Sequence, residues 1–86
     1  MITREFENTS GRDMLMTFQG DADGRGLVKL FNVSDSQFVC QMARDEHGRC
    51  AVATTDPIAV SWDSLLKMHV FLEESLADRA QRLGER

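Results

Sequence analysis

The feature that most constrains this chain is a long amphipathic segment in its last third, residues 61–83. Ser61 can cap a helix here, Asp63 is favourable in the first turn, and Gly84 can end it. At helical spacing most of the large apolar side chains fall on one stripe, which contains Trp62, Leu65, Leu66, Leu72, Leu76, Ala80 and Leu83. The segment therefore predicts one C-terminal helix packed on the rest of the domain.

Two apolar side chains of the predicted helix lie away from this stripe. Phe71 is almost opposite it, and Met68 is well to one side. A helix that covers a single sheet has no use for a Phe on its outer side, so we expect something outside the protomer to cover it. The predicted interface consists of Met68, Phe71, Trp62 and His69.

His69 falls near the centre of the apolar stripe, one turn before Glu73. One interpretation is a titratable switch or a metal ligand in a dimer interface. We favour a core histidine, or one that pairs with Glu73 at the i,i+4 spacing. His47 is the only other histidine and lies in a predicted turn, so no pair has metal-ligand spacing.

The pattern of apolar residues before the helix predicts strands. Residues 13–19 alternate apolar and polar side chains, as a half-buried strand does. Residues 27–33 are apolar on both faces except at Lys29 and Asn32, which suits a central strand. Residues 1–12 are predicted to be either an edge strand or a flexible arm.

Residues 35–47 allow two interpretations. Ser34 and Gln37 form a capping box and Gly48 can follow a helix, so a helix is one of them. The other is a hairpin with its turn at 44–49 and a returning strand at 50–54, because Phe38, Cys40 and Met42 alternate. We favour the hairpin, which makes residues 13–55 a β-meander.

In our predicted hairpin register Cys50 pairs with Ala43 and Cys40 pairs with Ala53. The two sulfurs then project from opposite faces and cannot form a disulfide. Two free cysteines, together with an N-terminus that lacks the apolar core of a signal peptide, predict a cytoplasmic protein.

The predicted fold class is α+β: an antiparallel β-meander of three to five strands, followed by one long C-terminal helix packed on the sheet. The 86 residues form a single small domain, 1–86. So short a chain buries only about 60–65% of its unfolded surface, and sharing a core with a second copy would be a natural remedy. The net charge of −4 argues against binding to duplex nucleic acid or to a membrane surface.

No motif of a known catalytic chemistry is present. Asp21 and Asp23 resemble the start of a calcium loop, but the twelfth position, which needs a bidentate Glu, is Asn32. The glycines at 20–26 lack the Lys-Ser/Thr of a phosphate-binding loop, and no nucleophile has an activating neighbour in sequence. We therefore predict no enzyme activity, no cofactor and no metal.

The order of elements resembles the strands-then-helix protomer of the transcriptional-coactivator family that binds single-stranded DNA as a dimer. The residues that carry the resemblance are Val28-Lys29-x-Phe31, a strand at Val39, a turn at Gly48, and Ile58-Ala59-Val60 before the helix. The family's basic and aromatic strand residues are mostly absent, since this chain has Gln41, Met42 and Ala43 where that family contacts DNA.

These observations predict a small non-enzymatic interaction module, homodimeric, that binds another protein. The alternative, from a different class, is a single-stranded nucleic-acid-binding protein. It would use Lys29, Arg44 and Arg49 on the sheet, with Phe31 or Phe38 stacking on bases.

Overall fold

A computed structural model describes residues 2–20, 24–54 and 60–84. These residues form five strands and one helix: β1 (Ile2–Glu7), β2 (Asp13–Gly20), β3 (Gly26–Asn32), β4 (Phe38–Arg44), β5 (Cys50–Thr54) and α1 (Trp62–Gly84). The strands form one antiparallel sheet in the order β1-β2-β3-β4-β5, and α1 packs on β2 and β3. The predicted α+β meander with a C-terminal helix is confirmed, with five strands.

The core lies between one face of the sheet and α1. Directly opposed residues of neighbouring strands point to the same face, so the register Met16↔Leu30↔Cys40 lines up a row of buried side chains. The alternation in β2 and the central position of β3 are as predicted. The buried apolar residues are Met14, Met16, Phe18, Val28, Leu30, Cys40, Met42, Met68, Phe71 and Leu72.

The N-terminal segment adopts the first of its two predicted conformations. β1 is an edge strand that pairs with β2 from Ile2↔Phe18 to Glu7↔Asp13. It is attached to the helix as well as to the sheet, because Arg4 Nη1 lies 2.9 Å from Glu74 Oε2. Phe6 packs against the edge of the core.

Residues 38–54 form the predicted hairpin, and the helical alternative is wrong. The backbone carbonyl of Asp45 accepts the N–H of Gly48, which has a φ of +83° that glycine adopts without strain. Asp45 Oδ1 also accepts the backbone N–H groups of His47 and Arg49. The short polar side chain therefore organises the whole turn.

The predicted register of this hairpin is wrong by one residue. Cys50 pairs with Arg44 and Cys40 with Thr54, so both cysteine side chains point to the same face of the sheet. They remain free thiols for a different reason: their positions are four residues apart along the strands, about 13 Å, which is too far for a disulfide.

The helix boundaries follow the sequence closely. The Ser61 hydroxyl accepts the Ser64 backbone N–H at 3.1 Å, and the Ser61 carbonyl accepts the Leu65 N–H. Ser61 is thus the N-cap, and Asp63 lies in the first turn, where the helix dipole favours an acidic residue.

The predicted buried face of the helix is correct only in part: Leu72 is buried and Leu65 and Leu76 pack against the core, but Trp62 and Leu66 are exposed. Phe71 is only 1% exposed and Met68 is fully buried, so both belong to the core of the protomer. The buried face is Ser64, Met68, Phe71, Leu72 and Ser75. With about 100° between successive residues, the centre of this face lies about a quarter-turn around the helix axis from the centre of the predicted stripe.

Small residues line the contact between this face and the sheet. Ser64 and Ser75 are small enough for the helix to approach the sheet closely. At Gly26, a Cβ atom would stand only 3.0 Å from Leu72 Cδ1, so a side chain there would require the leucine to shift. Phe71 fills the space that remains, with its ring edge-to-face against Phe18 at 6.4 Å between centroids.

We predict that Phe71→Ala lowers the free energy of unfolding by about 3–5 kcal/mol, because it leaves a cavity in the core. Trp62→Ala, a matched removal of an exposed aromatic, changes it by less than about 0.5 kcal/mol. Urea unfolding followed by circular dichroism measures both.

Should Phe71→Ala fail to fold, Phe71→Leu gives a milder change below about 1.5 kcal/mol. Equal losses for Phe71→Ala and Trp62→Ala would contradict this orientation of the helix.

Candidate functional site

The outer surface of α1 carries a ridge of three apolar side chains, Trp62, Leu66 and Val70. They follow one another at intervals of four residues and are 79%, 57% and 46% exposed. At this spacing three side chains form one continuous strip along a helix. We call this strip the helix ridge. It is the most exposed group of large apolar side chains on the helix.

A groove of about 340 Å³ runs between the helix ridge and β1. Its lining combines apolar and charged side chains: Arg4, Phe6, Met16, Asp63, Leu66, Lys67 and Val70. Leu66 and Val70 belong to both the ridge and the groove, so the two form one surface. The surface has a convex apolar strip beside a concave apolar floor.

The charges around the groove are held in place by the chain itself. Arg4 is paired with Glu74, and its guanidinium carbon lies 4.8 Å from the centre of the Phe71 ring. Lys67 Nζ lies 4.9 Å from the centre of the Phe6 ring. Both contacts orient cations over aromatic faces. An apolar centre with a fixed polar rim is the usual composition of a protein-binding surface.

The four predicted interface residues are not brought together. Trp62 lies on the helix ridge and is exposed. His69 is also exposed, which corrects its predicted place at the centre of the packed stripe. Its Nε2 lies 3.8 Å from Glu73 Oε1, as in the i,i+4 pairing that we favoured. Met68 and Phe71 lie in the core and do not reach the surface.

Two residues of the ridge were missed by the sequence analysis. Leu66 was assigned to the packed face of the helix, and Val70 was not considered. The spacing Trp62-x-x-x-Leu66-x-x-x-Val70 indicates a second apolar strip that overlaps the first. This strip could have been recognised from the sequence.

The face of the sheet opposite α1 has no described element over it. Its side chains form rows across the strands. A polar row contains Thr17, Lys29 and Gln41, which are paired in register. Beside it Phe31 and Phe38 stack edge-to-face, with ring centroids 5.9 Å apart.

The cations predicted for nucleic-acid binding are not gathered on this open face. Arg44 points to the helix side, where it forms an ion pair with Glu73. Arg49 lies in the turn, with its Nε 2.9 Å from Asp45 Oδ2. The Arg49 backbone N–H is the main reason that the pKa of the Asp45 carboxyl is lowered. Of the three predicted cations, Lys29 is left on the open face.

Two observations on the described residues bear on metal and thiol chemistry. No group of three or more His, Cys, Asp or Glu among them is placed to hold a metal ion. Asp21 and Asp23, the start of the rejected calcium loop, lie outside the described residues. Burial raises the pKa of the Cys40 thiol to about 11, and its Sγ lies 3.5 Å from Met68 Sδ, so it is a poor nucleophile.

No helix in the described part of the chain is both long and apolar enough to cross a membrane. Comparison of the chain with models of known protein families, with curated proteins and with solved structures finds no match.

Proposed function

We propose that this protein is a small, non-enzymatic interaction module that self-associates and binds another protein through the helix ridge. The observation that carries the proposal is the exposure of Trp62, 79%, in line with Leu66 and Val70. A tryptophan is the residue most enriched among those that dominate binding energy at interfaces. Covering this strip removes apolar surface from water, which favours association.

The shape of the surface favours an amphipathic helix as the bound element. A helix laid along the groove could present apolar side chains at intervals of three and four residues to Leu66 and Val70. The rim contains both signs of charge, with Lys67 and Asp63 at the same groove. The polar flanks of such a helix would therefore carry both acidic and basic groups.

The lining of the groove supports binding over catalysis. Its floor is Phe6 and Met16, which carry no acid, base or nucleophile. Its Arg4 is already paired with Glu74 at 2.9 Å.

Site-specific photo-cross-linking tests the proposed binding surface. We expect benzoylphenylalanine at position 66 to form a covalent adduct with another protein in cells that make this one. The same group at position 33, an exposed valine beyond the end of β3, should not. Excess unlabelled wild-type protein should suppress the adduct.

Competitor variants make the test specific for the ridge. Trp62→Ser should compete at least about 30-fold less well than wild type, since loss of an aromatic anchor costs about 2 kcal/mol. Val33→Ser should compete like wild type. Adducts of equal yield at positions 33 and 66, or full competition by Trp62→Ser, would refute binding through the ridge.

A second candidate function is binding of single-stranded nucleic acid on the open face of the sheet. The Phe31–Phe38 pair beside Lys29 is the specific observation in its favour. Aromatic side chains stack on bases at about 1–3 kcal/mol per base. The net charge of −4 and the single predicted cation on this face place it second.

Fluorescence anisotropy of a labelled oligothymidine separates the two functions. At about 0.15 M salt we expect no binding to the single strand, and none to a duplex of the same length. Micromolar binding that Phe38→Ala weakens and Leu66→Ser leaves unchanged would instead establish the second function.

A further inference from the structure

The open face of the sheet, opposite α1, is more apolar than a sheet face that contacts water usually is. Apart from Asp13 at the start of β2, the register of β2–β5 places eleven side chains on this face: Leu15, Thr17, Gln19, Leu27, Lys29, Phe31, Phe38, Gln41, Ala43, Ala51 and Ala53. Seven of them are apolar, and Lys29 is the one charged side chain among them. A sheet with one wet face normally alternates apolar side chains inside with polar ones outside. The composition is therefore that of a face that another layer covers.

The largest apolar side chains of this face form one row. Leu15 is opposed to Phe31, and Phe31 to Phe38, so the three cross the middle of the sheet in register. Phe38 is 38% exposed, and the other two are half-buried. We call these three residues the sheet row. Covering it would remove a continuous apolar strip from water.

The open face is large enough to form an interface by itself. Five strands about 4.8 Å apart, each about seven residues long at about 3.4 Å per residue, give a face of roughly 550 Å². Two such faces in contact would cover roughly 1,100 Å² in total, which exceeds the minimum of about 1,000 Å² for a specific interface. The low number of charges in its centre also matches the core of such interfaces.

Two opposite charges on this face are separated in a way that suits a second copy. Lys29 is half-buried and pairs in register with Thr17, which pairs with Thr3 on β1. Glu5 is exposed on the same face, two residues beyond Thr3. The two positions are thus two strands and two residues apart, about 12 Å in the plane of the sheet.

We propose that two copies of the chain associate through the open faces of their sheets, with Lys29 of each copy against Glu5 of the other. The two-fold axis must then bisect the line between these two positions. Its midpoint lies on β2, between Leu15 and Thr17. Leu15 and Phe31 lie beside this axis, so the sheet row of each copy packs against that of the other. This inference deepens the self-association in the proposed function and rests on it.

A second copy fits this face better than its other possible occupant, a single-stranded nucleic acid. Bases could stack on Phe31 and Phe38. The face carries one cation, however, and the register adds Glu5, Glu7 and Asp13 to it, which repel phosphates. In a dimer the same acidic side chains provide the partner for Lys29. Because α1 lies on the other face of the sheet, this pairing leaves the helix ridge of each copy accessible.

Exchange of the two charges tests the pairing. Lys29→Glu and Glu5→Lys should each raise the dimer dissociation constant at least about tenfold, because repulsion replaces attraction at two symmetric contacts. The double variant Lys29→Glu/Glu5→Lys restores opposite charges and should return the constant to within about threefold of wild type. Sedimentation across a concentration series at about 0.05 M salt, where screening is weak, measures all four proteins.

Two controls accompany the exchange. Circular dichroism should show the same fold for every variant, since neither side chain belongs to the core. Leu66→Lys places a new charge on an exposed apolar residue of the helix ridge and should leave the dimer unchanged. The same variant should lose competition in the cross-linking experiment, whereas Lys29→Glu should keep it.

The outcomes distinguish this inference from the proposed function. A wild-type dimer that neither single exchange weakens, or a double variant no tighter than the single ones, overturns the sheet-face pairing and leaves self-association elsewhere. A wild-type monomer at every concentration overturns both the pairing and self-association, while binding through the helix ridge is decided separately by cross-linking at position 66. If that monomer binds oligothymidine and Lys29→Glu does not, the open face belongs to nucleic acid.

Discussion

The packing of Phe71 between the helix and the sheet determines how the rest of this protein is arranged. Its ring lies edge-to-face on Phe18 and under the guanidinium of Arg4, and it is 1% exposed. With this ring inside, the rotation of α1 is fixed. The strip Trp62, Leu66 and Val70 must then face outward. The groove beside β1 is a consequence of the same rotation, since its walls are Leu66 and Val70.

Most of the fold could be predicted from the sequence, because its signals are local. The alternation of apolar and polar side chains identifies β2. The hairpin turn is identified by Asp45 and Gly48, and the start of the helix by Ser61. The register of the hairpin could not be fixed from the sequence. Residues 46–48 form a three-residue loop in which Gly48 has a positive φ. A loop assumed to be one residue shorter or longer shifts every residue pair between the two strands of the hairpin.

The face of the helix was missed because two apolar strips overlap on it. Counting large apolar side chains favours the strip with Trp62 and Leu66. The strip that packs contains Ser64 and Ser75, which are small and polar, and a count of hydrophobic residues gives them no weight. Steric fit against the sheet decides between the strips, and that fit depends on residues distant in sequence.

The proposed binding surface lies at one side of the protomer. The helix ridge borders β1, at one edge of the sheet, and β5 is the opposite edge. If the protein self-associates as proposed and leaves both ridges accessible, it would present two identical apolar strips, and two weak contacts that act together bind more tightly than either alone.

The most direct test of the central claim is the fluorescence of Trp62, the single tryptophan of the chain. The protein should be measured at high dilution, with urea-unfolded protein as the reference. If Phe71 occupies the core and Trp62 lies on the helix ridge, the folded protein should emit near the wavelength of tryptophan in water. Iodide should quench it almost as well as in the unfolded chain. An emission shifted strongly to the blue, resistant to iodide at every dilution, would show that Trp62 is buried and would contradict this orientation of the helix.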